Sequence, residues 1–380
     1  MMYLDAAATS AVRREVLEAM WPYLTGDFGN PSSHHTVGES AARALADARA
    51  TVADWLGCRP SDVVFTSGGT EADNLAVKGI ALATPRGRHI VTTRIEHEAV
   101  LESIDYLRRI HGFEATFVDV DATGLVDPAD FAAALRDDTT LATVMLANNE
   151  VGTVQPVAEL AAIARQRGIP FHTDAVQAAG WLDLDTSALG VDALSISGHK
   201  LGAPKGVGAL FVRGRIPVEP VIHGGGQERG RRSGTENVAG AVGLAAAIRL
   251  GAAGRQSRAA AAADARDAFV AAVLARVPRA ALTGHPTLRL PATASFVFPG
   301  TSGESVLLEL ERRGIVSSSG SACAAGSDEA SHVLLALGFD DEVAQTAVRF
   351  SWSPEVGAAE LAVVADAVAE AVETVASITQ

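Results

Sequence analysis

The chain has 380 residues, 48% of them hydrophobic and 20% charged, and a formal net charge of −14. That length exceeds what one core usually holds and predicts two domains, while the acidic balance argues against a broad nucleic-acid footprint. Apolar stretches such as 240–248 are too short to span a bilayer. The start of the chain has no secretory leader pattern, and two cysteines, Cys58 and Cys323, make neither a disulfide framework nor a cysteine zinc site. A cytoplasmic protein with free thiols is expected.

In chain order, a short extended piece leads into a helix over Val12 to Trp21, and Thr25 to Ser33 reads as a Gly/Asn/Pro loop. Glu39 to Leu56 has apolar residues at helical spacing. From Val63 strands and helices alternate. Strands are expected at 63–66, 89–93, 115–120, 141–147, 169–173 and 191–197, and helices at 71–83, 98–111 and 157–167. This alternation predicts an α/β fold with a mostly parallel sheet covered on both faces. Val207 to Arg213 reads as one more strand, but only about nine residues separate it from Ser197, too few for a parallel crossover. It is therefore expected to run antiparallel, with Lys200 on the link. A Gly- and Arg-rich loop follows at Gly224 to Gly234, and an Ala/Arg helix over Ala259 to Val277 opens a smaller α+β domain. That domain carries strands at 294–298 and 315–317 and helices at 306–313 and 358–376. The boundaries read as 15–254 for the large domain and 1–14 with 255–380 for the small one.

Only three of the 31 basic residues are lysines, and two of them, Lys200 and Lys205, lie within six residues at the end of an apolar strand. Arginine serves as well for surface charge but cannot form an imine, whereas a desolvated lysine amine can attack a carbonyl. Lys200 is the better candidate to hold an aldehyde cofactor. Asp174, at the end of the preceding strand, falls at the edge where parallel sheets bind ligands. Together the two suit pyridoxal phosphate, which needs an amine for its aldehyde and a carboxylate for its ring nitrogen. Taken alone, Asp174 could equally cap the next helix.

Thr66 to Asn74 (TSGGTEADN) joins a strand to a helix. Gly69 and Thr70 could cradle a phosphate there or simply cap the helix, with Asp73 placed for a weak capping box. His97, just after a strand, could stack on a ring and move protons, or sit idle at a helix start. Cys323 lies in a run of small residues that suits a reactive thiol, or an idle one on a linker, while Cys58 follows an apolar helix and reads as packing. Arg349, inside an apolar run, invites a carboxylate partner, either a substrate or an internal acid. No His-Glu-x-x-His occurs, and no metal is expected.

With these points in place, the chain resembles the cysteine desulfurases of the class V aminotransferase family, in particular the group with a long cysteine loop. The resemblance rests on motifs in family order along almost the whole chain. They are Tyr3-Leu4-Asp5 with Ala7-Ala8-Thr9, Gly29-Asn30-Pro31-Ser32, Thr66 to Asn74, Glu96-His97, Asn148-Asn149-Glu150-Val151-Gly152, Asp174 with Gln177, Ser197-Gly198-His199-Lys200, His223 to Gly226, Arg232 to Thr235, and Ser318 to Cys323.

The resemblance implies a fold-type I pyridoxal-phosphate enzyme working as a homodimer. In it Lys200 would be the Schiff-base lysine and the base for the substrate α-proton, and Asp174 would pair with the ring nitrogen. Asn149 and Gln177 would contact the phenolic oxygen, and Asn149 the substrate as well. Gly69, Thr70, Ser197 and His199 would bind the phosphate, joined by Thr235 from the other subunit. His97 would stack on the ring, Arg349 would clamp the substrate carboxylate, and Cys323, on a mobile loop of about 318–332, would take the sulfur of L-cysteine as a persulfide. The sulfur would pass to a protein acceptor such as an iron–sulfur scaffold or a sulfur carrier, with no membrane or direct nucleic-acid partner. The alternatives are a selenocysteine lyase or another class V pyridoxal-phosphate transaminase, which would not need Cys323. A non-catalytic relative in a sulfur-transfer assembly would be expected to lack Lys200 or Asp174, and both are present.

Overall fold

The structure is a computed structural model that describes residues 1–83, 85–320 and 330–379. Its strands in chain order are β1 (Met2–Tyr3), β2 (Val63–Thr66), β3 (His89–Thr93), β4 (Glu114–Val118), β5 (Thr139–Thr143) and β6 (Phe171–Asp174). They continue with β7 (Ala193–Ser197), β8 (Gly208–Val212), β9 (Ala281–Leu282), β10 (Thr293–Val297), β11 (Ile315–Val316) and β12 (Ala347–Ser351). Seven of them form the central sheet in the order β2-β8-β7-β6-β5-β3-β4. Strands β3 to β7 are mutually parallel, and β8 is antiparallel to both of its neighbours, β7 and β2. The short link after Ser197 therefore reverses the chain as its length requires.

Both faces of this sheet are covered. The helices Gly69–Ala83 and Glu98–His111 pack on one side through Leu75, Ile80, Val100, Ile104 and Leu107. On the other side lie Thr36–Trp55, Val157–Gln166 and Val238–Ala252, whose Val52, Leu160 and Leu244 are fully buried. The apolar stretch near 240–248 belongs to this last helix, buried between Arg14–Thr25 and Thr36–Trp55 rather than set in a membrane. Among the described residues no single helix is long and apolar enough to cross one. Arg14–Thr25 also outruns the helix expected from the sequence, which stopped before Pro22. A proline near a helix end removes only one backbone bond, and here the last turn forms around it.

A second core gathers Leu4, Phe269, Phe296, Phe350 and Trp352 between the helices Arg255–Arg276 and Ala358–Thr379 and the sheet β12-β10-β9. The aromatic rings meet mostly edge to face, with Phe269 and Phe350 centroids 5.4 Å apart, the geometry their quadrupoles favour. β1 joins this region by pairing in parallel with β11. Trp181 touches both cores, and the groove between them opens at the C-terminal edge of the central sheet.

Candidate active site

That edge carries a cavity of about 510 Å³. Asp174 is the last residue of β6, and its register partner on β7 is Ser195, five positions before Lys200. Parallel pairing at this register brings Asp174, Ser197, His199 and Lys200 to one end of the sheet. All four line the cavity, with Gly69, Thr70, His97, Asn149, Gln177 and Arg349. Of the residues that the resemblance assigns to the site, Thr235 alone among the described ones lies elsewhere: it is exposed and does not line this cavity. Cys323 lies outside the described residues, as does most of the 318–332 loop. Its near ends do reach the cavity, through Gly320 on one side and Ala330, Ser331 and His332 on the other.

The phosphate-type turn is built differently from its sequence reading. The helix starts at Gly69, so the residue that reaches back is Glu71, whose Oε2 accepts from the Ser67 amide at 2.9 Å. Asp73 is one turn further in, 1% exposed, and its Oδ1 has no hydrogen-bond partner among the described residues, with His172 Nε2 3.7 Å away. It lines the cavity instead of capping the helix. Glycine is needed at 69 for space, since a Cβ there would fall 2.8 Å from Val176.

His97 caps the helix that follows it, whereas Asp174, expected as a possible helix cap, is followed by a turn and not by a helix. The His97 Nδ1 accepts from the Ala99 amide at 3.0 Å, and Asp174 Oδ1 accepts from the Val176 amide at 2.8 Å. Both side chains still line the cavity.

Burial sets the charge states. Loss of water pushes the Asp174 carboxyl up, against the favourable charges of His97 and Lys200. It lowers Lys200 to about 8, helped by Arg349. His199 falls to about 4, through burial and then the charges of Lys200 and Lys205, so its imidazole is neutral near pH 7. Glu96, buried beneath His97, rises to about 8 although it accepts from the Thr93 hydroxyl and the Met145 amide. The physical cause throughout is the cost of a charge without water.

Several contributors carried no isolated signal in the sequence. The Ala7 and Ala8 carbonyls accept from Lys200 Nζ, the second at 2.8 Å. Asn148 orders the next wall, its Oδ1 accepting from the amides of Glu150 and Val151, and its Nδ2 donating to the Ile95 carbonyl at 2.9 Å. That turn presents Asn149 to the cavity. Glu150 accepts a hydrogen bond from Ser331, and His332 Nε2 lies 3.1 Å from the Glu96 carbonyl. Only the order of motifs pointed to these segments, because each acts through a partner more than fifty positions away. No group of His, Cys, Asp and Glu among the described residues could hold a metal ion.

A model of the family described as aminotransferase class-V matches residues 2–363. A cysteine desulfurase IscS of Methanosarcina thermophila is 46% identical over 351 residues, covering 92% of this chain and 86% of that protein. An IscS-like cysteine desulfurase of Mycobacterium tuberculosis is 46% identical over 358 residues, covering 92% and 91%. A solved structure of a NifS-like protein superposes with a TM-score of 0.91 at 36% identity, over 98% of this chain and 99% of that one. The likeness extends through both cores and the groove between them, and the chain belongs to the class-V aminotransferase family.

Proposed function

We propose that the cavity at Lys200 is the place where L-cysteine loses its sulfur. The chain is a cysteine desulfurase that uses pyridoxal 5'-phosphate, and it turns L-cysteine into L-alanine while the sulfur moves to an acceptor. In the reading favoured here the first acceptor is Cys323. Its thiol and L-cysteine give a Cys323 persulfide and L-alanine, with every atom accounted for. The observation that carries the reading is that Lys200, on the link after β7, and Asp174, the last residue of the adjacent parallel strand β6, line one cavity at one edge of the sheet.

The residues present fit the cofactor. Asp174 is buried with no ion-pair partner among the described residues, so a protonated ring nitrogen would supply the missing cation. The space kept open by Gly69, at a helix start beside Ser197, suits a phosphate. When bound, the group supplies an electron-poor ring that stabilises negative charge at the substrate α-carbon.

The chain's own groups do the rest. Lys200, with its lowered proton affinity, would bind the aldehyde carbon and carry the α-proton. Asp174 would keep the ring nitrogen protonated. His97 would cover one ring face, and Asn149 and Gln177 would orient the phenolic edge. Thr70, Ser197 and the neutral His199 would hold the phosphate. Arg349, with Asn149, would hold the substrate carboxylate.

A homodimer belongs to the same proposal. Thr235 is exposed and away from its own cavity, available to a second copy. Leu17, Trp21 and Leu24 lie at helical spacing with Phe28 just beyond the helix, and all four are more than half exposed. The final acceptor would be a protein, an iron–sulfur scaffold or a sulfur carrier.

The test is Cys323→Ser. We expect it to abolish sulfide release from L-cysteine while the absorbance of the bound cofactor persists. Undiminished sulfide release would defeat the persulfide reading.

A further inference from the structure

Residues 5–10 leave β1 and run along one wall of the cavity, and their polar groups end on the residues assigned to the chemistry. Besides the Ala7 and Ala8 carbonyls at Lys200, the Ala7 carbonyl accepts from Gln177 Nε2 at 3.0 Å. The Thr9 hydroxyl lies 3.2 Å from His199 Nδ1. Among the described residues Asp5 makes the one ion pair of this segment: its Oδ1 accepts from Arg349 Nη2 at 2.7 Å.

Arg349 is 1% exposed and its hydrogen bonds are unevenly shared. Nη1 donates to the carbonyls of Asn149 and Gly320, at 2.8 and 3.1 Å. Nη2 meets Asp5, and Nε is buried without a partner among the described residues. Two neutral carbonyls hold one end of a planar group, and a single carboxylate holds the other and balances its charge. A guanidinium cannot shed its proton to relieve burial.

Asp5 is itself fixed. It bridges to Ser351 on β12, two positions beyond Arg349 and so on the same face of that strand. The Ser351 amide donates to the Leu4 carbonyl at 2.8 Å and the Ala6 amide to the Ser351 carbonyl at 3.0 Å.

We propose that Asp5 is a positioning residue that aims the Arg349 guanidinium at the carboxylate of an α-amino acid, and so sets the preference of the site for amino acids over simple amines. The inference rests on the reading of Arg349 as the carboxylate clamp. With Asp5 in place, Nη2 is held and the guanidinium charge is balanced. Without it, the group is tied only through Nη1 and can swing.

The experiment uses the cofactor-loaded enzyme and two ligands, L-alanine and ethylamine, which differ by the carboxylate. Dissociation constants are read from the absorbance of the bound cofactor. Asp5→Ala should weaken L-alanine by at least about tenfold, as loss of one partner of a buried charge pair does, and leave ethylamine unchanged. Asp5→Asn should weaken L-alanine less, because its amide oxygen still accepts from Nη2. If Asp5→Ala fails to retain cofactor, the L-alanine to ethylamine ratio of Asp5→Asn decides. Equal weakening of both ligands would reduce Asp5 to a structural residue, and unchanged or tighter L-alanine binding would overturn the proposal. Arg349→Gln separates the two readings. L-alanine binding unaffected by that variant defeats the clamp itself, whereas loss there with none in Asp5→Ala defeats only the role of Asp5.

Discussion

In the proposed reading much of the chemistry would rest on one side chain, Lys200. Its amine is surrounded by backbone carbonyls and buried acids, and burial lowers it from 10.5 to about 8. The sign follows directly. The unfolded chain binds the Lys200 proton up to its higher pKa, so between pH 8 and 10.5 it holds more protons than the folded one. The stability withheld by the buried ammonium is therefore recovered as pH rises through that window. Reactivity follows the same group, because only the neutral amine attacks an aldehyde. We expect capture of pyridoxal phosphate by the cofactor-free protein to accelerate by roughly tenfold per unit below pH 8 and to level off above it. Stopped-flow absorbance would measure this, and a rate flat from pH 6.5 to 8 would contradict the assignment. Cys58 behaves in the opposite way, pushed up to about 12 by burial and by Asp62 and Asp54, so its thiol is inert near neutral pH. The contrast between a poised lysine and a packed cysteine was legible from their neighbours in the chain. The charge states were not, since they depend on burial.

At the scale of elements, the Gly- and Arg-rich loop is held by a buried ion pair. Glu228, in the Gly/Arg-rich stretch, meets Arg49 through two contacts at 2.6 and 2.7 Å and also accepts from the Phe65 amide at 3.2 Å. Arg49 donates to the Val63 carbonyl at 2.9 Å. The loop, the helix Thr36–Trp55 and β2 are thus clasped together. Glu228 and Arg229 occupy left-handed backbone conformations, with φ of 48° and 59°, which the clasp stabilises. A second pair, Arg232 with Glu71 at 2.8 Å, ties the same loop to the turn beside Thr70. Removing one partner of a buried pair leaves an unpaired charge. Glu228→Gln should therefore cost about 3 kcal/mol of stability, seen as a lower urea midpoint, and a midpoint unchanged from the parent would exclude the clasp. Helical spacing and strand alternation revealed the elements here. The joining pair, 179 positions apart in the chain, left no periodic trace.

At the scale of the whole molecule, the exposed row of Leu17, Trp21, Leu24 and Phe28 is what a homodimer should cover. Trp21→Glu combined with Leu24→Glu should shift sedimentation toward the monomer and weaken cofactor binding, if Thr235 serves a second copy. A double variant that sediments like the parent would move the interface elsewhere. The sequence by itself determined what depends on near neighbours. The crossover too short to be parallel reversed β8, and the strand before the one leading to Lys200 ended on Asp174 at the same edge. The glycine turn at 68–69 opened a helix at the cavity. These follow from local geometry, because chain length and residue type limit where the next strand can go. Only the tertiary structure decided which distant groups meet. Asp5 reaches Arg349 across 344 positions, and the Ala7 carbonyl reaches Lys200 across 193. Asp73 turned inward rather than capping its helix, because the helix began at Gly69. Backbone carbonyls, buried pairs and charge states have no signature in residue order, since they arise when separate segments exclude water from the same space.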